Sequence, residues 1–323
     1  MVSPGVSKPA NVQVHLLRDR DLAEADRVLR LAFGTYMGLA DPLTVFGDSD
    51  YVYTRRKANP QAAFGAEIDG QIVGSVFATH WGSFGCFGPL TVRPDLWDQG
   101  IAQQLLQPVM DCFDQWQLTH SGLFTFAAST KHVGLYQKFG FWPRSLTALM
   151  SKPVQPVPPE TGWSRFSDVS ESNRDSILHA CRELTNLLLD GLDVTGEIQS
   201  VAAQKLGDTV LIWDESGQLS GFAVCHYGAG TEAGSGTLYI KFGTARPGAG
   251  AGQSFRNLVC ACETLASAVG ATTLNAGMNF AHEAAYRQIR ALGFKAYAQG
   301  VAMQKPNDPG YHRPELYVID DWL

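Results

Sequence analysis

Apolar positions along the chain change period, and the changes mark its elements. Over 20–34 the residues Leu22, Ala25, Val28, Leu29 and Ala32 recur at helical spacing, and over 173–189 Ile177, Leu178, Cys181, Leu184 and Leu188 do the same. Both stripes predict core-forming helices. Strand-like runs follow. AFGAEIDG and QIVGSVFATHWG flank Asp69-Gly70, a favoured tight-turn dipeptide, and TVLIWDESG and QLSGFAVCHYG flank Ser216-Gly217, so each pair predicts a hairpin. A short apolar run over 88–92 stops at Arg93-Pro94. After a turn, Ile101, Leu105, Leu106, Val109, Met110 and Phe113 set a helix over 101–116. Pro108 inside it removes one backbone hydrogen bond, which predicts either a bend or a separate first turn.

The plan occurs twice. Each half has a strand ending in Arg-Pro, at Arg93-Pro94 and at Arg246-Pro247, and each later helix stops at a Gly-Phe pair. From Arg93 to Gly140 is 47 residues, and from Arg246 to Gly293 is also 47. A shared spacing of this length points to two copies of one fold. Between the copies, residues 150–161 (MSKPVQPVPPET) carry four prolines and no periodic pattern, which marks a linker. The division expected is 1–152, a Pro-rich linker over 153–162, and 163–323. The fold class expected is α/β, as an α+β mixed sheet in two tandem domains.

The most informative stretch is GPLTVRPDLWDQGIAQQLL at 88–106: strand, tight loop, helix start. The first turn of a helix offers unpaired N–H groups and the positive end of its dipole, so it suits an anion such as a phosphate. Gly100 and Ala102 are small enough to let a ligand approach the backbone. Downstream, Leu135-Tyr136-Gln137-Lys138-Phe139-Gly140-Phe141 ends a helix at Gly140.

This pair of motifs resembles the GNAT acyltransferase superfamily, above all over 65–145. The family's coenzyme A loop reads R/Q-x-x-G-x-G/A. Residues Trp97 to Ala102 match its last two small positions, with Trp97 where Arg or Gln is usual. The family's later helix reads N-x-x-A-x-x-x-Y-x-x-x-G-F; Tyr136, Gly140 and Phe141 fit it, and Ser129 stands where Asn is usual. The resemblance implies acyl transfer from acetyl-CoA or another acyl-CoA to an amine, with no metal. It implies that backbone groups of Leu90, Thr91 and Val92 line the pantetheine arm. Gln99, Gly100, Ile101, Ala102 and Gln103 would then meet the pyrophosphate. By the same resemblance Tyr136 is the candidate general acid for the departing sulfur. Arg93 would add charge near the phosphates or simply face solvent.

The base is open between Glu67, on the strand equivalent to the family's base-bearing strand, and His80, at the end of the next. A neutral imidazole is a competent base near pH 7. Ser129 reads as an N-cap and His132 as a surface residue. The second loop, Gly248 to Gly252, is rich enough in glycine to cradle phosphate. Its first motif position is Pro247, however, and counting back four from Gly293 gives Ile289 rather than tyrosine, with Tyr286 one turn earlier. A degenerate second domain that shapes the acceptor cleft is expected.

Composition narrows the partners. A net charge of −6 gives no basic surface for nucleic acid beyond Arg55-Arg56-Lys57, which reads as a solvated helix face. The six cysteines show no metal-ligand spacing and lie mostly in apolar runs, as reduced thiols of a cytoplasmic protein do. No signal core or membrane-length apolar run is present. The expected acceptor is a small-molecule amine. Two alternatives stay open: a GNAT fold taking its acyl group from a carrier-protein thioester or aminoacyl-tRNA, and a non-catalytic ligand-binding module. The acceptor pocket is expected around 33–57, 80–86 and 145–150, with Phe33, Tyr36, Phe46, Tyr51, Tyr53 and Trp81 as its aromatics. The acyl group and the oligomeric state are not fixed by the sequence.

Overall fold

Asp69 and Gly70 take φ of 49° and 80°, and this doubly left-handed turn closes the first hairpin with Ile68 opposite Gln71. The computed structural model describes residues 11–155 and 162–322. The first half runs β1 (Gln13–Leu16), α1 (Leu22–Tyr36), α2 (Val52–Ala58), β2 (Ala63–Ile68), β3 (Gln71–Trp81), β4 (Phe84–Phe87) and β5 (Thr91–Val92). It continues through α3 (Ile101–Gln115), β6 (His120–Thr125), α4 (Thr130–Gln137) and β7 (Trp142–Pro153). The second half repeats the order as β8 (Trp163–Arg165), α5 (Arg174–Asn186), α6 (Thr195–Gln204), β9 (Gly207–Trp213), β10 (Leu219–Gly228) and β11 (Gly234–Ala245). It ends with α7 (Ala251–Ala268), β12 (Thr273–Asn279), α8 (Glu283–Ala291), β13 (Lys295–Lys305) and β14 (Val318–Ile319).

Both expected amphipathic helices form, as α1 and α5, and both hairpins form. The helix around Pro108 is one continuous α3. Pro108 is half-buried there, and Gln104, whose carbonyl loses its partner, is exposed to solvent. No helix among the described residues is long and apolar enough to cross a membrane.

The halves are joined by an exchange of strands. The strands form one sheet in the order β1-β2-β3-β4-β6-β13-β7-β12-β11-β10-β9-β8, with β5 paired to β3 and β14 to β11 off this path. Strand β13, from the second half, lies between β6 and β7 of the first, with Val301 opposite both Thr125 and Leu146. Strand β7, from the first half, lies between β12 and β13 of the second, with Met150 opposite Ala276 and Ala296. Gly300 on β13 is needed for this fit. A Cβ there would lie 2.3 Å from the Thr125 carbonyl oxygen and 2.4 Å from the Phe124 ring. The expected linker therefore begins too early: residues 150–153 are central strand, although Pro153 ends it. Residues 156–161 of the proline-rich stretch lie outside the described residues.

Apolar clusters cover both faces of the first half. One packs Leu22, Ala25 and Leu29 of α1 on Ile72 and Phe77, and the other packs Ile101, Leu105 and Val109 of α3, with Tyr136, on Val73 and Val76. A third core spans the halves, setting Trp81 and Phe84 against Leu184, Ile198 and Phe242. Beside it lies a buried charge cluster. Arg55 donates to both carboxylate oxygens of Glu232 at 2.8 and 3.0 Å, and Lys241 donates to Glu232 at 2.7 Å. Burial opposes ionisation of Glu232, but the charges of Arg55 and Lys241 more than offset it and hold the carboxyl well below its usual range. Arg55 is thus no solvated residue. Its partner lies 177 positions away.

Neither half completes its sheet alone. Residues 1–155 expressed by themselves are expected to melt without a cooperative transition, and co-expression with 156–323 is expected to restore one. Calorimetry on both preparations checks this, and a cooperative melt of the isolated fragment would refute it.

Candidate active site

Strand β4 pairs in parallel with β6 only from Phe84 to Cys86, opposite His120 to Gly122. The chain then turns through Gly88-Pro89, and β5 pairs only with β3, through Gly74 opposite Val92 and Ser75 opposite Thr91. On its other side β6 pairs with β13. A wedge therefore opens between β5 and β6, edged by the backbone of Leu90, Thr91 and Val92. Arg55 reaches its inner end and donates to the Gly88 carbonyl at 2.7 Å.

At the outer end of the wedge the chain makes a single 3-10 turn at Pro94–Leu96 and enters α3. Gly100, the N-cap, has φ 81°, a left-handed conformation that disfavours any side chain, and no side chain caps the helix. The amides of the first turn are left for a ligand. Trp97 braces this loop, because its indole N–H donates to the Val92 carbonyl at 2.7 Å. Arg93 is engaged with Asp95. The cation at the loop is Lys131, from the start of α4, 2.7 Å from Asp98 and 5.6 Å from the Trp97 ring centroid. Sequence reading passed over Lys131.

At the inner end stands Tyr136. It is buried, its ring is 5.6 Å from that of Phe87, and its hydroxyl interacts with Thr125, the last residue of β6. Phe87 is where β4 leaves β6, so the tyrosine sits at the apex of the wedge. Burial raises its pKa, and the phenol stays protonated at neutral pH. Ser129 caps α4 by accepting from the His132 amide. His132 is half-buried rather than on the surface, with its ring 5.5 Å from Tyr36; burial and then Lys131 lower its pKa. It lies one turn from Tyr136, on the same side of α4. That i, i+4 spacing was a readable signal.

The two bases read from the sequence fall elsewhere. Glu67 is bound by Arg18 and by His15 at 3.2 Å, and these contacts hold its carboxyl low. It lies opposite Ile72, toward the outer end of the sheet. His80 stacks on Trp116 at 4.6 Å and bonds to the Gly82 carbonyl at 2.9 Å. It is two residues along β3 from Ala78, the partner of Phe87, or about 7 Å. His80 instead borders a cavity of about 100 Å³ between the halves, with Arg55, Glu197, Glu232 and Lys241. Of the expected aromatics, Phe33, Phe46 and Tyr51 form one edge-on cluster, and Tyr36 stacks on Phe126 at 4.8 Å beside the wedge. Tyr53 is exposed and Trp81 is buried in the shared core.

The second half has the same parts in a different state. Gly250 caps α7 with φ 87°, matching Gly100. Strand β11 pairs with β12 from Thr237 to Ile240 and then departs, but the space is filled: β14 pairs with β11 through Gly243 opposite Ile319 and Thr244 opposite Val318. Tyr317 leans on the first turn of α7, where a Cβ on Gly252 would be 2.9 Å from its hydroxyl. Ile289 occupies the tyrosine's place and is fully buried.

A splayed strand leading from an uncapped helix start to a buried phenol is the frame of an acyltransferase fold. Residues 33–141 match the model of the acetyltransferase (GNAT) family. The whole fold is similar to solved structures at low identity. A candidate acetyltransferase of Pyrococcus horikoshii has a TM-score of 0.67 at 13% identity, covering 100% of this chain and 98% of that one. A GCN5-related N-acetyltransferase of Sphaerobacter thermophilus has 0.60 at 14%, covering 93% and 96%. A tandem GNAT protein from the clavulanic acid biosynthesis pathway has 0.56 at 12%, covering 92% and 100%. No curated protein sequence matches. Residues 33–141 therefore match a GNAT acetyltransferase domain, and the whole chain shares the two-domain fold of these solved structures.

The brace at Trp97 can be measured. Trp97→Phe keeps the ring and leaves the Val92 carbonyl without its donor, so unfolding free energy is expected to fall by about 1 kcal/mol. Urea denaturation with an unchanged midpoint would show that the contact contributes nothing.

Proposed function

We propose that the protein is an N-acyltransferase that moves an acetyl or other acyl group from a coenzyme A thioester to a small-molecule amine, within the first wedge. One observation carries this reading: the first wedge is open from the Gly100 loop to Tyr136, while the equivalent second wedge is filled by β14. The second half then acts as a partner that closes the sheet and borders the acceptor side. Trp97 spends its N–H inside the loop, and Lys131 stands there to meet phosphate, which favours a coenzyme over a carrier protein or tRNA as donor.

The chemistry follows from the placement of groups. The pyrophosphate takes the amides from Gln99 to Gln103, and the pantetheine arm lies along the free edge of Leu90, Thr91 and Val92. Backbone N–H groups of that edge are the available donors for the thioester oxygen as it gains charge. The amine nitrogen attacks the carbonyl carbon and the carbon–sulfur bond breaks. The departing thiolate takes the proton of the Tyr136 hydroxyl. The proton lost by the amine passes to the unprotonated His132 imidazole, directly or through water. Tyr36, which lies against His132 and stacks on Phe126, favours an acceptor with an apolar or ring-bearing part.

Acetyl-CoA is expected to raise the melting temperature of the protein, and Gly100→Glu to abolish that shift, while Gly250→Glu leaves it intact. No shift with any acyl-CoA would overturn the donor assignment. Tyr136→Phe is expected to lower kcat by about 10²-fold. A base whose pKa is lowered is lost only when pH falls below the ordinary histidine range. The acid limb of kcat/KM should therefore lie below that range and be altered in His132→Gln. A profile unchanged by His132→Gln would remove His132 from the mechanism.

A further inference from the structure

After β13 the chain runs back as a strap over 306–322, and β14 is the part of it that fills the second wedge. Where this strap passes the start of α8, three metal-ligating side chains converge. We propose that His282, His312 and Asp320 bind a divalent transition metal, Zn²⁺ foremost, which clips the strap to α8 and holds the second wedge shut. The site lies outside the acyl-transfer machinery and does not rest on that reading.

The three ligand atoms lie within 4.8 Å of one another, and all three residues are buried, at 0%, 4% and 1% exposure. The Nδ1 of His282 is 3.1 Å from the Arg313 carbonyl oxygen, an acceptor, so Nδ1 carries the hydrogen and Nε2 presents a bare lone pair. That Nε2 is buried and has no hydrogen-bond partner. A metal-bound histidine has this arrangement, with its far N–H held by a carbonyl.

The Nε2 of His312 is likewise buried without a hydrogen-bond partner. It is 3.5 Å from Asp320 Oδ1, and its Nδ1 accepts from the Gln304 side-chain nitrogen at 2.8 Å. Metal binding at Nε2 displaces its hydrogen to Nδ1, with the Gln304 amide turned so that its oxygen accepts from Nδ1–H. The remaining oxygen of Asp320 accepts from the Tyr311 hydroxyl at 2.6 Å, which fixes the carboxylate. Trp322 stacks on His312 at 4.3 Å and donates to the same hydroxyl, closing one side with an aromatic wall.

Two orphaned imidazole nitrogens directed at one buried point, beside a carboxylate, are costly unless something occupies that point. A tetrahedral ion with bonds of about 2.0–2.1 Å spaces its ligands about 3.4 Å apart. His312 and Asp320 already stand near that distance, and His282, at most 4.8 Å from either, closes by no more than about 1.4 Å. Two imidazoles and one carboxylate suit Zn²⁺ and its transition-metal neighbours rather than Ca²⁺ or Mg²⁺.

The test uses the full-length protein without a polyhistidine tag. Elemental analysis is expected to find one transition metal per chain, either as isolated or after incubation with Zn²⁺ and gel filtration. Stripping with a chelator should lower the melting temperature, and adding Zn²⁺ should restore it. Co²⁺ in place of zinc should give the intense visible absorption of a tetrahedral site. His312→Gln and Asp320→Asn should each lose the bound metal. Should these variants fail to fold, the wild-type metal content decides alone. Wild-type protein that retains no metal after incubation with Zn²⁺, Fe²⁺, Co²⁺, Ni²⁺ or Mn²⁺, and whose melting temperature none of them moves, would overturn the proposal. The cluster would then be a water-filled polar pocket.

Discussion

Backbone groups inside a sheet must be paired, and in this protein neither half can pair its own. Strand β6 needs β13, and β12 needs β7, so the two central strands are held by the opposite copies. The functional site depends on this constraint. The wedge between β5 and β6 keeps its shape because β6 is anchored from behind by a strand of the second half. Thr125, beside Tyr136, is opposite Val301 in that pairing. The second half thus helps to shape the wedge of the first.

Arg55 adds a second coupling between the halves. One side of its guanidinium binds Glu232 across the interface and another nitrogen holds the Gly88 carbonyl at the inner end of the wedge. Removing Glu232 would take away the carboxylate that both Arg55 and Lys241 bind, and breaking a buried pair typically costs about 3–5 kcal/mol. The geometry of the turn that opens the wedge is therefore tied to the packing of the two copies.

Much of the fold was legible because its signals are local. The Asp69-Gly70 turn, the α1 and α5 stripes, the left-handed Gly100 and the Ser129 cap all follow from a few neighbouring residues. The doubled spacing from Arg-Pro to Gly-Phe disclosed the tandem plan. What stayed hidden depends on partners far along the chain. The strand exchange could not be read from β7 or β13, since an apolar strand pattern does not say which copy it joins. Arg55 looked solvated in a basic run because Glu232 is distant in sequence. Glu67 suited the role of base by position, but the register puts it with Arg18 and His15 toward the outer end of the sheet. Lys131 and His132 were under-read, although both lie within six residues of Tyr136. The filling of the second wedge came from a two-residue strand too short to carry any pattern.

The strand exchange also sets an order of events during synthesis. Thr125 emerges from the ribosome long before Val301, its neighbour in the finished sheet. At about 5–20 residues per second, the roughly 180 residues between them take about 10–40 s to make. Throughout that interval β6 has an open edge, the kind of surface that pairs with other chains. A nascent first half therefore has an incomplete sheet and an exposed edge. Its completion waits on β13.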